Sequence, residues 1–421
     1  MPHPLSLQPE TVPLANQVAG HQNVMSDASG SLVIKLALAR EIAFYQLVNS
    51  ASRSSSLARL KPFVARFYGT LRLEGRLDGV GGLTQDGLDT EIPESVVLEN
   101  LAHDYTHPSI LDVKLGTILY DIDAKPEKKE RMEKQARETT IATTGLRLTG
   151  AQTWHAASES YILTPKSFGK TIKPDQLSEG IKRFFPLPGD SIPSFISLSP
   201  SSSKSTSTSA TSDTPTTASS GSSEPPPVQV TTVTQPSISN YVDHALPPPL
   251  LLRLLDLLLS QLRALTDVLK VLEARFVGSS VLIVYEGDAS RLSDALDRYD
   301  AQQALLASKP PRQTYTDVSD PDDDGEDDDD DEEDEEDDDE DEDGSTSSDS
   351  DPDDGTRADA RKSRRCPPLS VRMIDFAHTR LVQGEGPDQG VLKGLTKLVE
   401  LVTERREAVR IQAEQVPPLP M

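Results

Sequence analysis

Two stretches of this 421-residue chain lack the apolar residues a core needs, so whatever folds must be assembled from the pieces around them. From 194 to 240 the sequence is dominated by Ser, Thr and Pro, including SSSKSTSTSATSDTPTTASSGSSEPPP. Such a composition cannot bury enough apolar surface to offset the entropy of ordering, and a flexible insertion is expected. From 308 to 367 the chain centres on an acidic run, whose window 320–354 holds 26 Asp and Glu and no Lys or Arg. The other 42 acidic residues balance the 42 Lys and Arg, so the net charge of −26 belongs to that one tract. The tract is a solvated, self-repelling loop by default, or an electrostatic mimic of nucleic acid that attracts basic proteins. Ser348 and Ser350 precede acidic residues and are candidate phosphorylation sites, and RKSRR at 361–365 is a short basic cluster compatible with nuclear import.

A single cysteine, Cys366, excludes an intrachain disulfide and a Cys-rich zinc site and suits a reducing compartment. The N-terminus MPHPLSLQPE lacks the basic start and apolar core of a signal peptide. The leucine-rich stretch 250–276 is broken by Arg253, Asp256, Arg263, Asp267 and Lys270, so no membrane span is expected there. The expectation is a soluble intracellular protein.

The densest chemistry lies in PSILDVKLG at 108–116, where Asp112 and Lys114 sit two apart in an apolar run closed by Gly116. In an extended strand both charges share one face, with Leu111, Val113 and Leu115 on the other. Burying the apolar face would hold the pair at the lip of a cleft; the plainer reading is a half-buried strand whose charges face water. Upstream, 32–36 reads as a strand carrying Lys35, and 37–48 as a helix carrying Glu41 with Ile42, Tyr45 and Val48 on one side. Kinases place a phosphate-binding lysine and its ion-pair partner this way, and a snorkelling surface lysine is the alternative. Residues 63–70 and 95–101 read as further strands around a glycine-rich loop at 75–87. The second ends in Glu99-Asn100-Leu101, a candidate hinge that would hold adenine through backbone groups.

Downstream, KPEKKERMEKQARE at 125–138 reads as a charged helix opened by Pro126. Glu127 with Arg131, Glu130 with Lys134 and Glu133 with Arg137 are favourable i,i+4 pairs, as in a solvent helix. Lys128, Arg131 and Lys134 also form one basic stripe, with Lys129 beside it, suited to a substrate carrying several phosphates. Strands are expected over 143–164 and a short helix over 175–185. The GKT at 169–171 is not a phosphate-binding P-loop, because Thr164 stands where that motif needs glycine. From Leu251 to Phe276, apolar residues recur at alternating four- and three-residue steps, as in a coiled-coil seam or, more commonly, a long helix packed on its own domain. GSSVLIVYEG at 278–287 reads as a buried strand. LSVRMIDFAHT at 369–379 reads as an apolar strand ending at Asp375, like the kinase strand whose aspartate holds magnesium against the phosphates. GEGPDQG at 384–390 has one residue too many for a dinucleotide fingerprint, and a last helix is expected over 391–412. No protein-kinase-type Gly-rich loop and no His-Arg-Asp triplet occurs, which argues against a protein kinase.

PSILDVKLG resembles the Pro-x-x-x-Asp-x-Lys-x-Gly motif of the inositol polyphosphate kinase family. VAGH at 18–21 followed by a strand lysine recurs there, IDFAHT at 374–379 matches residue for residue, and GSSVLIVYEG resembles its Ser-Ser-Leu-Leu strand with Val281 for the first leucine. GPDQG at 386–390 is similar to its Gly-Pro-Asp-x-Gly turn, and an Asp-rich run is found in its fungal multikinases. The resemblance implies an α+β, two-lobed, protein-kinase-like fold with two disordered insertions and ATP between the lobes. It implies a disordered 1–14, an N-lobe over 15–100, and a C-lobe built from 101–193, 241–307 and 368–415. By resemblance Lys35 is the nucleotide-phosphate lysine, Glu99 accepts from the adenine amino group beside Leu101, and Asp375 holds Mg²⁺. Asp112 orients ribose or the attacking hydroxyl, and Lys114 bridges the transferring phosphoryl and the substrate. Lys128, Arg131, Lys134, Lys166, Lys170 and His378 become substrate candidates. The implied activity is ATP-dependent phosphorylation of soluble inositol tris- and tetrakisphosphates by a monomer resident in nucleus and cytoplasm, without direct nucleic-acid binding. Basic transcription factors or histones are the expected partners of 320–354. A transcriptional scaffold and a phosphoinositide-binding module are the other classes open at this point.

Overall fold

The computed structural model describes residues 11–16, 18, 24–72, 94–188, 190, 197–198, 245–308 and 366–415. Short alternating segments at the start of the chain pair into an antiparallel sheet: β1 (Thr11–Pro13), β2 (Met25–Asp27), β3 (Leu32–Leu36), β4 (Phe67–Arg72) and β5 (Glu94–Glu99), in the order β1-β2-β3-β5-β4. Residues 11–13, expected to be disordered, are instead an edge strand paired with β2, where Pro13 costs no interior ladder bond. Helix α1 (Ala39–Ser50) buries Ile42, Phe44, Tyr45 and Val48. The strand expected over 63–70 begins only at Phe67, because 58–63 winds into a 3₁₀ turn that contains Pro62.

The second part of the chain contributes β6 (Pro108–Leu115), α2 (Pro126–Glu138), α3 (Ile141–Thr144), β7 (Leu146–His155), β8 (Ser160–Thr164), α4 (Lys166–Thr171), α5 (Leu177–Phe184) and β9 (Ser197–Leu198). It continues through α6 (Pro248–Val271), β10 (Ala274–Val277), β11 (Ser280–Glu286), α7 (Ala289–Ser308), β12 (Leu369–Ile374), β13 (His378–Leu381) and α8 (Gln389–Gln415). A six-stranded sheet runs β12-β11-β6-β7-β8-β9, and β10 pairs with β13. The fold is therefore α+β, two-lobed, with the five-stranded sheet in one lobe and the six-stranded sheet and the β10–β13 ribbon in the rest.

Three departures from the sequence reading have local causes. Residues 143–144, expected to open the strands, belong instead to a helical turn over 141–144 closed by Gly145 at φ +73. The leucine periodicity ends as a helix at Val271, and Phe276 lies in β10. Helix α7 was not anticipated, because only Leu292, Ala295 and Leu296 are buried and its apolar stripe is short. Residues 19–21 of VAGH, the 75–87 loop, Ser348, Ser350 and 361–365 lie outside the described residues. So do nearly all of 194–240 and 308–367.

Alternation decides what the larger sheet does with its two faces. Leu111, Val113 and Leu115 of β6, Val281 and Ile283 of β11, and Val371 and Met373 of β12 are buried in the main core. Against that core lies α6, which buries eleven Leu and Val side chains and packs on α8. At about 1.5–3 kcal/mol for each large apolar side chain fully buried, this layer is ample to fix the register of the sheet. The register then sets the other face. Asp112 lies opposite Leu282, and Leu282 opposite Arg372; Lys114 lies opposite Ser280, and Ser280 opposite Ile374. On the other side of β6, Lys114 lies opposite Arg147.

Candidate active site

The polar face of the larger sheet looks onto β3, α1 and the segment after β5, and a cleft forms between them. Lys35, Glu99, Leu101, Asp112 and Asp375 all line it, with Val33, Ala65, Ile110 and Leu282 among its apolar walls. Residues more than 300 positions apart thus share one space.

Lys35 is the hub. Its Nζ lies 2.7 Å from Asp375 Oδ1 and 3.0 Å from Glu41 Oε1. Burial opposes its charge, but Asp375 and Glu41 outweigh burial and raise its pKa above the usual lysine value. Glu41, in the first turn of α1 and buried, also accepts the backbone N–H of Phe376 at 3.2 Å. One carboxylate therefore fixes both the lysine and the peptide after Asp375. Asp375 itself has φ +63, a left-handed conformation uncommon for a side-chain-bearing residue. The turn is held by a hydrogen bond from Ser279 Oγ to its carbonyl at 2.9 Å, and by Phe376, fully buried against Phe44 and Tyr45. A strained residue so bracketed aims its carboxylate into the cleft.

Asp112 is 3% exposed and does not face water. Burial pushes its pKa up to about 6; a hydrogen bond from Ser280 and the charges of Lys114 and Lys166 work against the rise, and Asp375 adds to it. Its Oδ1 has no hydrogen-bond partner among the described residues, an expensive arrangement for a buried carboxylate unless a ligand completes it. A register shift beside Asp112, where β7 carries an extra residue, re-aims the strand at this point. Lys114 donates to the Gly278 carbonyl at 2.5 Å. Burial lowers its pKa, with Asp112 and Asp375 opposing and Arg147 and Lys35 reinforcing the change.

Arg147 is the residue the sequence reading missed. It is 7% exposed, its pKa is lowered by burial with Asp112 opposing, and its Nη1 has no hydrogen-bond partner among the described residues. The only signal was the arginine in an otherwise apolar strand, GLRLTG.

The segment after β5 is pinned by Asn100, whose N–H donates to Ser31 O at 2.8 Å and whose side chain donates to Gly30 O at 2.6 Å. Glu99 accepts the backbone N–H of Arg66 through Oε2 at 3.2 Å. Lys128, Arg131 and Lys134 are exposed on α2, and Lys134 lies 3.8 Å from Glu138 rather than pairing with Glu130. Glu133 and Arg137 do pair, at 3.7 Å. None of the stripe lines the cleft, nor do Lys170 and His378. Lys166, at the first turn of α4, acts on Asp112 through its charge. His378 Nδ1 lies 3.3 Å from Asp121 Oδ2, and Asp121 also pairs with Arg40 of α1.

Among the described residues no three His, Cys, Asp or Glu gather as a closed metal cage. What the cleft offers is Asp375 and the unpartnered Oδ1 of Asp112. That donor set suits Mg²⁺, which takes one or two carboxylates and completes its shell from phosphates and water.

A family model described as inositol polyphosphate kinase matches residues 95–196 and 232–403. The chain is 27% identical over 170 residues to the inositol polyphosphate multikinase of Schizosaccharomyces pombe, covering 40% of this chain and 61% of that protein. It is 27% identical over 210 residues to the multikinase of Saccharomyces cerevisiae, covering 41% of this chain and 59% of that one. To human inositol hexakisphosphate kinase 1 it is 23% identical over 375 residues, covering 87% of this chain and 63% of that protein. The chain spans about three-fifths of the length of these curated relatives. Among solved structures it is similar to the S. cerevisiae inositol phosphate multikinase in complex with ADP and Mn²⁺, at 20% identity and a TM-score of 0.47, covering 89% of this chain and 99% of that one.

Proposed function

Because the chain belongs to the inositol polyphosphate kinase family, we propose that it transfers the γ-phosphoryl group of ATP to a hydroxyl of a soluble inositol polyphosphate. The observation that carries the reading is the shared cleft of Lys35, Asp112 and Asp375, with Lys114 close enough for its charge to act on Asp112.

Each side chain has work that its surroundings suit. Lys35, kept cationic by Asp375 and Glu41, binds the nucleotide phosphates. The 99–101 segment receives the adenine, with Leu101 as an apolar wall. Bound at Asp375, Mg²⁺ would supply positive charge to the triphosphate. Asp112, with a pKa of about 6, is ionised at neutral pH, and its unpartnered oxygen orients the attacking hydroxyl. Lys114 and Arg147 bring desolvated positive charge to the transferring phosphoryl and the acceptor's phosphates. A loose transition state asks mainly for alignment and charge stabilisation, and this set of side chains supplies both. The exposed stripe Lys128, Arg131 and Lys134, with Lys166, Lys170 and His378, is assigned to the outer part of the acceptor site.

Likeness to the two fungal multikinases favours sequential action on tris- and tetrakisphosphates. Residence in nucleus and cytoplasm, and recruitment of basic transcriptional proteins by 320–354, belong to the same reading on the strength of the charge run alone. The test is incubation of the full chain with labelled ATP, Mg²⁺ and a panel of inositol phosphates from tris- to hexakisphosphate, resolved by anion exchange. Label moving onto tris- and tetrakisphosphate is expected. Label on hexakisphosphate alone would replace the multikinase reading, and no label on any acceptor would end the kinase reading.

A further inference from the structure

A second cavity of about 330 Å³, within the size range of small-molecule sites, shares Tyr45, Ala65 and Glu99 with the front cleft. Its chemistry is one-sided. Lys61, Arg66 and Arg372 line it against one carboxylate, Glu99, with Asn49 and Tyr45 completing the polar wall. Glu99 already accepts the Arg66 backbone N–H through Oε2. Among the described residues Arg40, Arg137, Arg253, Arg275, Arg405, Arg406 and Arg410 each have a carboxylate partner. None of the three cavity cations has one within 4.0 Å among the described residues. Among the described residues the Arg372 side chain donates to the neighbouring Val371 carbonyl at 3.2 Å.

The three cations sit on neighbouring segments. Lys61 lies in the 3₁₀ turn 58–63, Arg66 just before β4, and Arg372 in β12. An isolated parallel bridge between Val64 and Met373 ties the first two to the third. Three cations set against one carboxylate leave the lining with excess positive charge, which an anion with adjacent charged oxygens would complement through charge-assisted, partly bidentate hydrogen bonds.

We propose that this cavity is a second anion site, built from Lys61, Arg66 and Arg372, for a small anion bearing adjacent phosphate groups. Inorganic pyrophosphate and a soluble inositol trisphosphate share that chemistry, and the two serve as separate probes.

The experiment is isothermal titration of each probe into the full chain, into Lys61→Ala/Arg372→Ala and into Lys35→Ala/Lys114→Ala. Arg66→Gln, at an exposed position, is the second cavity variant, and thermal melts establish which variants fold. Pyrophosphate affinity is expected to fall at least tenfold in each folded cavity variant and to stay within twofold in the front-cleft variant. Inositol trisphosphate binding at the same ratio would identify the broader ligand class; its absence would restrict the site to inorganic phosphates. The proposal is overturned by pyrophosphate binding that survives both cavity variants, that is lost only with Lys35 and Lys114, or that does not occur. Binding seen only after removal of 320–354 would make that acidic segment the occupant and overturn it as well. Phosphoryl transfer in the same variants reports on the front cleft, so failure of the kinase reading leaves this result separate.

Discussion

Asp112 carries a negative charge where almost no water reaches it, and that cost has a measurable sign. Its folded pKa of about 6 lies above its ordinary value of 3.8, so between those values the folded state holds more of a proton than the unfolded one. Stability must then fall as pH rises through that window, by about 3 kcal/mol for a shift of two units. Asn at this position has no charge to bury. We expect Asp112→Asn to be more stable than the parent by about 1–3 kcal/mol at pH 7 and nearly equal to it at pH 4, read from urea unfolding at the two pH values. The same substitution should lower kcat by at least about a hundredfold, and the parent's kcat/KM should rise to a plateau above about pH 6. A variant less stable at pH 7 than at pH 4, relative to the parent, would show that Asp112 is held by partners rather than stranded. Arg147 marks the limit of reading single residues from sequence. Asp112, Lys114 and Asp375 stand in motifs with a recognisable spacing, whereas an arginine on an apolar strand gains meaning only when register sets it opposite Lys114.

Elements were legible where one periodicity ran long enough. The period-2 runs of β6, β11 and β12 and the leucine steps of α6 could be read directly, because each buries a continuous apolar face. Helices α3 and α7 and strand β13 could not: one is four residues long, one has a short apolar stripe, and one is a four-residue strand completed by β10. The order β12-β11-β6 was beyond periodicity altogether, since nothing local says which distant strand will pair. Close approaches between elements were equally silent. Gly169 in α4 lies so near β7 that a Cβ there would overlap the Leu148 carbonyl, a backbone group that cannot rotate away. Replacing a helical glycine by alanine gains about 0.5–1 kcal/mol of helix propensity, whereas overpacking costs about 1–3 kcal/mol or more. Packing wins that comparison. Gly169→Ala should therefore be destabilised by about 1–3 kcal/mol in denaturant melts despite its better propensity, and KM for the acceptor should rise as α4 and Lys166 move away from β7. A stabilised variant would mean that α4 does not seat on β7 this closely.

Across the whole molecule the charge is distributed in a way no single element shows. The window 320–354 carries 26 acidic residues, and the remainder of the chain is balanced at 42 acidic and 42 basic. The proposed acceptor is itself a polyanion, and the basic groups assigned to it form a local positive field on an otherwise near-neutral fold. A block of like charge tethered to the same chain opposes the approach of such a substrate over a distance set by salt. The screening length is about 30 Å at 0.01 M ionic strength and about 8 Å at 0.15 M. Charge at that range alters encounter far more than the bound complex, so the effect belongs in kcat/KM and not in kcat. Removing 320–354 should thus raise kcat/KM for an inositol polyphosphate several-fold at 0.01 M salt, leave it within about twofold at 0.15 M, and leave kcat unchanged at both. Initial rates for the full and shortened chains across an ionic-strength series decide the matter. Parallel curves would mean that the substrate never feels the tract, and a fall in kcat on removal would mean that the acidic run acts within the folded enzyme instead of from a distance.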